Sequence, residues 1–198
     1  MIYLVGMGPG DIKSLTLEAV DILKGATKIV SFGRISNTAK EFNSNVISIK
    51  RVDEINEFTK KDENLVILAS GDPCFFGILD YLKRKEINID KVIPGISSLQ
   101  YMMAKVKKSW QDCTFVSLHG RDEGIEKILK SEKSFILTDS RNTPNSISKM
   151  LKEKGLKGKL YVGFNLSYEN EKIVMVNIGE EVGEDTSLAV VVVENEMD

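Results

Sequence analysis

Short apolar runs alternate with amphipathic stretches along most of the chain. "IYLV" reads as a buried strand, and "SLTLEAVDILKG" repeats its apolar positions at helical spacing until Gly25, a glycine suited to end a helix. "TKIVSF" and "VISI" read as further strands, "RVDEINEFTKK" as a helix, "LVILA" as a strand and "FFGILDYLKRK" as a helix. "KVI" followed by "SSLQYMMAKV" repeats the step. Apolar runs too short for helices, separated by helices, predict parallel strands joined by crossover helices.

The texture changes at "KVKKSWQD", residues 105–112, which is polar and basic. Beyond it "TFVSL", "EGIEKILK", "SFILT" and "NSISKMLKEKG" continue the alternation, whereas "KLYVGFNL", "KIVMVNI" and "SLAVVVVE" read as strands with no helix between them. The pattern predicts two α/β domains, 1–109 and 110–198. The first is expected to hold a mainly parallel sheet, and the second a mixed sheet that ends in antiparallel strands.

Composition narrows the class. The 198 residues suffice for a buried core, and 42% hydrophobic with 28% charged residues is ordinary for a soluble protein. A formal net charge of −2 argues against a general nucleic-acid binder. Cys74 and Cys113 match no metal-ligand spacing and give no disulfide framework, which points to a reducing compartment and no metal site. "MIYLVGMGPG" has no basic segment before its apolar run and breaks at glycine, so no signal peptide is expected. "LAVVVV" is too short to cross a bilayer. A cytoplasmic globular protein is the expectation.

In open parallel sheets, ligands bind outside the carboxyl ends of the strands. Here "IYLV" runs into "GMGPGD", "LVILA" into "SGDP" and "KVI" into "PGISS". Gly33-Arg34, His119-Gly120-Arg121 and Asp139-Ser140-Arg141 follow three other strands. The unusual residues therefore gather at one edge of the sheets, where glycine permits positive φ or close approach of a ligand. The first loop fails the dinucleotide fingerprint, since Asp11 stands where the third glycine belongs, and it fails the P-loop, since Ile12 precedes Lys13-Ser14. Asp11 and Asp72 instead suit a ligand with hydroxyls and positive charge, or else cap local turns, as Asp11 is well placed to do.

In this order and spacing, "VGMGPGD", "SGDPCFFG" and "VIPGISSLQ" resemble the tetrapyrrole (corrin/porphyrin) methylases, which use S-adenosylmethionine. "SWQDCTFVSLHGRD", "FILTDSRNTP" and "GFNLSYENEKI" are similar to the branch that methylates C5 of precorrin-7 or cobalt-precorrin-7 in cobalamin biosynthesis. The resemblance implies two α/β domains with a cleft between them, a homodimer, and S-adenosylhomocysteine as product. It implies cofactor contacts at Gly8, Pro9, Ser70, Gly71, Asp72, Phe75, Ser97 and Ser98, and further ones at Thr138, Leu166 and Ala189. Phe75 as a plain core residue, and Ser97 or Ser98 as a helix N-cap, are competing readings. The C15-methylating, decarboxylating domain fused in some relatives has no counterpart here, so a separate protein is expected to supply that step.

The implied chemistry needs alignment and desolvation rather than an activated nucleophile, which agrees with a sequence holding one histidine. A polycarboxylate tetrapyrrole calls for cations, and Arg34, Arg121 and Arg141 are the candidates, with plain surface solvation as the alternative. His119 has three candidate roles: structural residue, donor to a substrate carboxylate, or general base. Other expected classes are a uroporphyrinogen-III methylase, a diphthine synthase, or a binding protein for a tetrapyrrole or nucleoside that performs no turnover.

Overall fold

The computed structural model describes residues 1–59, 64–118, 124–183 and 188–196. The chain divides into two compact units, Met1–Ser98 and Leu99–Asp198.

The first unit is built on β1 (Ile2–Gly6), β2 (Ile29–Phe32), β3 (Val46–Ile49), β4 (Leu65–Ala69) and β5 (Lys91–Ile93), with α1 (Leu17–Gly25), α2 (Ile35–Lys40), α3 (Ile55–Thr59) and α4 (Leu79–Arg84) between them. All pairings are parallel, in the order β3-β2-β4-β1-β5. The central β4 is buried at every position, as an all-apolar strand covered on both faces must be. One face packs Val5, Val66, Leu68 and Ile93 under Ala19 and Leu23 of α1 and Ile35 and Ala39 of α2. The other packs Leu4, Val30, Ile67 and Ala69 under Ile55 of α3 and Leu82 of α4. Each large aliphatic side chain buried this way contributes about 1.5–3 kcal/mol.

Local chemistry sets the helix ends. The Thr16 hydroxyl accepts from Ala19 N at 3.1 Å and caps α1. The structure departs from the sequence reading in two places. The helix expected from Phe75 begins only at Leu79, because Phe76 has φ 49° and the Asp72 carboxylate and carbonyl capture Cys74 N and Phe75 N in a tight turn. α2 escapes the apolar pattern because Ser36 and Thr38 are buried on it. Ser36 Oγ bonds Ser31 Oγ at 3.1 Å, and Thr38 Oγ1 donates to the Gly10 carbonyl at 3.0 Å.

The second unit holds α5 (Ser98–Lys105, all but its first residue), β6 (Thr114–Ser117), α6 (Ile125–Leu129), β7 (Lys133–Leu137), α7 (Pro144–Glu153), β8 (Gly158–Phe164), β9 (Lys172–Asn177) and β10 (Ala189–Asn195). Its sheet runs β6-β7-β10-β8-β9, with β6 and β7 parallel and the other pairings antiparallel, as expected. α7 starts on a Thr143 cap with Pro144 in the first turn and buries Ile147 and Leu151 against Val191, Val193, Leu160 and Val162. The units part at Ser98/Leu99, whereas the change of texture that suggests 109/110 lies beyond α5. The reason is that α5 is fastened to the second sheet. Lys105 pairs with Glu171 at 2.6 Å, Lys108 just past the helix pairs with Glu194 at 2.8 Å, and Met102 lies over Gly163.

Candidate functional site

In the first unit the chain leaves β1 toward β2 on one side of the sheet and leaves β4 toward β5 on the other. β1 and β4 are neighbours, so the loops after them meet at a switch point of the strand order, where open parallel sheets bind ligands. The glycine-bearing loops after β4, β1 and β5 therefore stand side by side, as the sequence predicts.

Their backbones lock together. Gly8 N donates to Gly71 O at 3.2 Å, and Gly71 N donates to Gly8 O at 2.7 Å, an antiparallel bridge beyond the ends of two parallel strands. Gly8 and Gly71 have φ of 65° and 66°, the left-handed region that glycine enters at no steric cost. A Cβ on Gly95 would press into the Gly71 carbonyl oxygen and lie 2.9 Å from Gly6 C, so that glycine serves close approach. A Cβ on Gly71 would meet Ser97 Cα only at 3.7 Å and Ser98 N at 3.9 Å. A Cβ at residue 71 would thus touch "PGISS" at ordinary contact distance and clash with nothing.

Asp72 belongs to the frame of this site. Its Oδ1 accepts from Cys74 N at 2.7 Å and its Oδ2 from Gly95 N at 3.2 Å, tying the β4 loop to the β5 loop. Asp11 likewise caps the short 3-10 turn Ile12–Ser14 by accepting from Lys13 N at 2.7 Å. Pro9 and Phe75 are half-buried, Ser70 is exposed, Ser97 is buried, and Ser98 opens α5. Phe75 packs edge-on to Phe76 with centroids 5.0 Å apart, which leaves Phe76 half exposed. Arg34 is exposed at the start of α2, on this same edge of the sheet, because β2 neighbours β4.

The second unit brings three other candidates to one end of its sheet. Leu137 pairs with Val190, and Ala189 with Phe164, so Thr138, Ala189 and Leu166 follow or begin adjacent strands. Thr138 Oγ1 donates to the Ala189 carbonyl at 2.6 Å. Leu166 is flanked by Asn165 at φ 46° and Ser167 at φ 69°, a tight left-handed turn. Arg141 is exposed in the loop after β7, where Asp139 Oδ1 accepts from the backbone N–H groups of Arg141 and Asn142. His119 and Arg121 lie outside the described residues.

Sequence reasoning missed the supporting residues. Gly6, Gly95 and Thr38 frame the first-unit loops, and Glu171 braces the Leu166 turn through Ser167 N at 2.6 Å. The glycines stand inside the quoted motifs, so their signal was present. Glu171 also stands inside a quoted motif, "GFNLSYENEKI", but nothing there sets it apart from Glu169. No cluster of His, Cys, Asp and Glu able to hold a metal occurs among the described residues, and no helix among them is long and apolar enough to cross a membrane.

Comparison with known proteins agrees with this geometry. The sequence model of the Tetrapyrrole (Corrin/Porphyrin) Methylases matches residues 1–181. The chain is 35% identical to a probable cobalt-precorrin-7 C(5)-methyltransferase of Methanocaldococcus jannaschii, over 98% of this chain and 97% of that one. It is 31% identical to the cobalt-precorrin-7 C(5)-methyltransferase of Salmonella typhimurium, over 87% of this chain and 89% of the relative. Among solved structures, the precorrin-6Y methylase of Archaeoglobus fulgidus superposes with a TM-score of 0.77 at 27% identity, covering 100% of this chain and 99% of its own. A Thermus thermophilus uroporphyrin-III C-methyl transferase complexed with S-adenosyl homocysteine shares the fold, with a TM-score of 0.78 at 21% identity over 97% of this chain and 96% of its own. With its bridged glycine loops and a match that runs through both units, the chain belongs to the tetrapyrrole (corrin/porphyrin) methylases.

Proposed function

We propose that the protein transfers a methyl group from S-adenosylmethionine to C5 of precorrin-7 or cobalt-precorrin-7, a step of cobalamin biosynthesis. Near end-to-end similarity to relatives of that activity in two organisms supports the substrate. The observation that carries the site is the Gly8–Gly71 bridge, whose Gly71 leaves room beside Ser97 and Ser98 for no more than a Cβ in van der Waals contact. A side chain at residue 71 would fill that space, so the loops suit a ligand held against bare backbone.

S-adenosylmethionine, when bound, supplies a methyl carbon already attached to a good leaving group. The chain's own task is alignment and exclusion of water. The bridge fixes the two loops relative to each other, and Asp72 fixes the β4 loop to the β5 loop. Gly8, Pro9, Ser70, Gly71, Ser97 and Ser98 offer backbone and hydroxyl groups, and Phe75 an apolar wall. Thr138, Leu166 and Ala189 are proposed as further cofactor contacts. Arg34, His119, Arg121 and Arg141 are proposed to receive substrate carboxylates, for which the arginine fork is the best matched donor. The protein is proposed to work as a cytoplasmic homodimer, with C15 methylation and decarboxylation left to a separate protein.

The test is methyl transfer from labelled S-adenosylmethionine to precorrin-7, with and without cobalt. Label in the product at C5 is the expected result. Transfer to uroporphyrinogen-III instead, or binding of either ligand without transfer, overturns the assignment.

A further inference from the structure

The turn that follows β8 is expensive to hold. Asn165 and Ser167 are both in the left-handed region, where a residue with a Cβ is strained, and Leu166 lies between them, buried. Two backbone bonds close the turn, Tyr168 N to Asn165 O at 3.0 Å and Glu171 N to Tyr168 O at 2.9 Å. The Glu171 side chain braces it as well. Glu171 Oε2 accepts from Ser167 N at 2.6 Å, while its Oε1 meets Lys105 Nζ at 2.6 Å. Lys105 stands at the end of α5 over the Tyr101 ring, 5.0 Å from its centroid. The Glu171 carboxylate, 18% exposed, thus joins a strained turn to a helix.

We propose that Glu171 is a positioning residue for the cofactor. By accepting from Ser167 N–H it holds the turn in its left-handed form and keeps Leu166 presented at the end of the second sheet, and Lys105 holds the carboxylate in place. The role rests on the reading of Leu166 as a cofactor contact. It assigns the decisive part to the acceptor oxygen on Ser167 N–H and only a supporting part to the ion pair. These two parts separate experimentally, because a glutamine keeps an acceptor oxygen and loses the charge. An exchange of the two residues keeps an ion pair but puts an ammonium, which has no acceptor, against Ser167 N–H.

The experiment is titration with S-adenosylhomocysteine, alongside thermal melting, of the parent, Glu171→Gln, Lys105→Met and the exchange Lys105→Glu with Glu171→Lys. Glu171→Gln and Lys105→Met are expected to bind within about threefold of the parent. The exchange is expected to bind at least tenfold more weakly while melting close to Glu171→Gln. An exchange that binds like the parent overturns the role of Glu171, and so does a Glu171→Gln variant that loses as much as the exchange. If the exchange does not fold, the Glu171→Gln and Lys105→Met dissociation constants decide alone, and a tenfold loss in either overturns it. A parent that does not bind S-adenosylhomocysteine overturns this role together with the cofactor reading, whereas a parent that binds, with variants out of the stated order, removes the role alone.

Discussion

Gly71→Asn separates a turn from a binding site. At φ 66° a residue with a Cβ carries roughly 1–2 kcal/mol of strain, and asparagine, which tolerates the left-handed region, falls at the low end. The new Cβ clashes with nothing, its nearest neighbours being Ser97 Cα at 3.7 Å and Ser98 N at 3.9 Å, and the bridge to Gly8 uses only backbone atoms. The stability loss is therefore expected near 1 kcal/mol, a small shift of the urea midpoint. The carboxamide, however, adds bulk beyond a Cβ that already touches Ser97 and Ser98. If S-adenosylhomocysteine uses that space, its affinity falls at least tenfold, about 1.4 kcal/mol. Gly95→Ala provides the contrast. Its methyl group drives into the Gly71 carbonyl and the Gly6 backbone, none of which can rotate away. Overpacking makes that about 1–3 kcal/mol of stability. Calorimetric titration and urea unfolding on the same preparations give both numbers. A Gly71→Asn variant that binds within twofold of the parent, with the midpoint lowered as calculated, would refute the ligand reading and leave Gly71 as a turn residue only.

Three other outcomes follow from individual side chains. Ser134 Oγ is buried with no hydrogen-bond partner among the described residues, so Ser134→Ala is expected to raise unfolding stability by about 1 kcal/mol; a lower urea midpoint would contradict this. Burial pushes the Cys113 thiol up to about 11, while Cys74 is exposed, its thiol raised by partial burial and then by Asp72. A thiol reagent at pH 8 should therefore label Cys74 alone until the protein is unfolded, as mass spectrometry of digests would reveal. Burial works to raise the Glu171 carboxyl, but bonds from Lys105, Ser167 N and Tyr101 outweigh it and hold the group below its ordinary 4.5. A carboxylate depressed in the folded state contributes stability that is complete above that ordinary value and lost as pH falls through the lowered one. Glu171→Gln should accordingly flatten the acid limb of the stability curve below pH 4.5 and leave the slope above it unchanged, as urea midpoints across pH would measure.

The first sheet was readable because its strands are short, mostly apolar runs and the helices between them, α2 apart, follow the helical period. "LVILA" is buried throughout, as the sequence alone requires. α2 was unreadable because Ser36 and Thr38 occupy its inner face, and their burial depends on partners, Ser31 and the Gly10 carbonyl, that only the fold supplies. The start of α4 was misplaced because the Phe75-Phe76 pair has the apolar character of a helix face, while the decision to turn rests with the Asp72 side chain and positive φ at Phe76. The same division holds for the site. Glycines at strand ends are legible one loop at a time. That Gly71 needs its φ while Gly95 needs its lack of a Cβ is settled by which loops become neighbours. The bracing role of Glu171 was unreadable because it depends on the left-handed turn at Asn165 and Ser167, which the fold and not the local pattern reveals.

The strand order also fixes when the glycine loops can come together. β1 is made first, yet its sheet neighbours are β4 and β5, the last strands of the first unit. β2 and β3 can pair with each other as a local step, but β1 must wait as an unpaired apolar segment until β4 arrives between it and β2. The bridge from Gly8 to Gly71 closes only then, and Gly95 follows with β5. Contacts this distant in sequence form late and slow the search. A chain refolding from urea is therefore expected to regain helix signal before its glycine loops close, and during synthesis β1 stays an unpaired apolar segment until β4 has emerged.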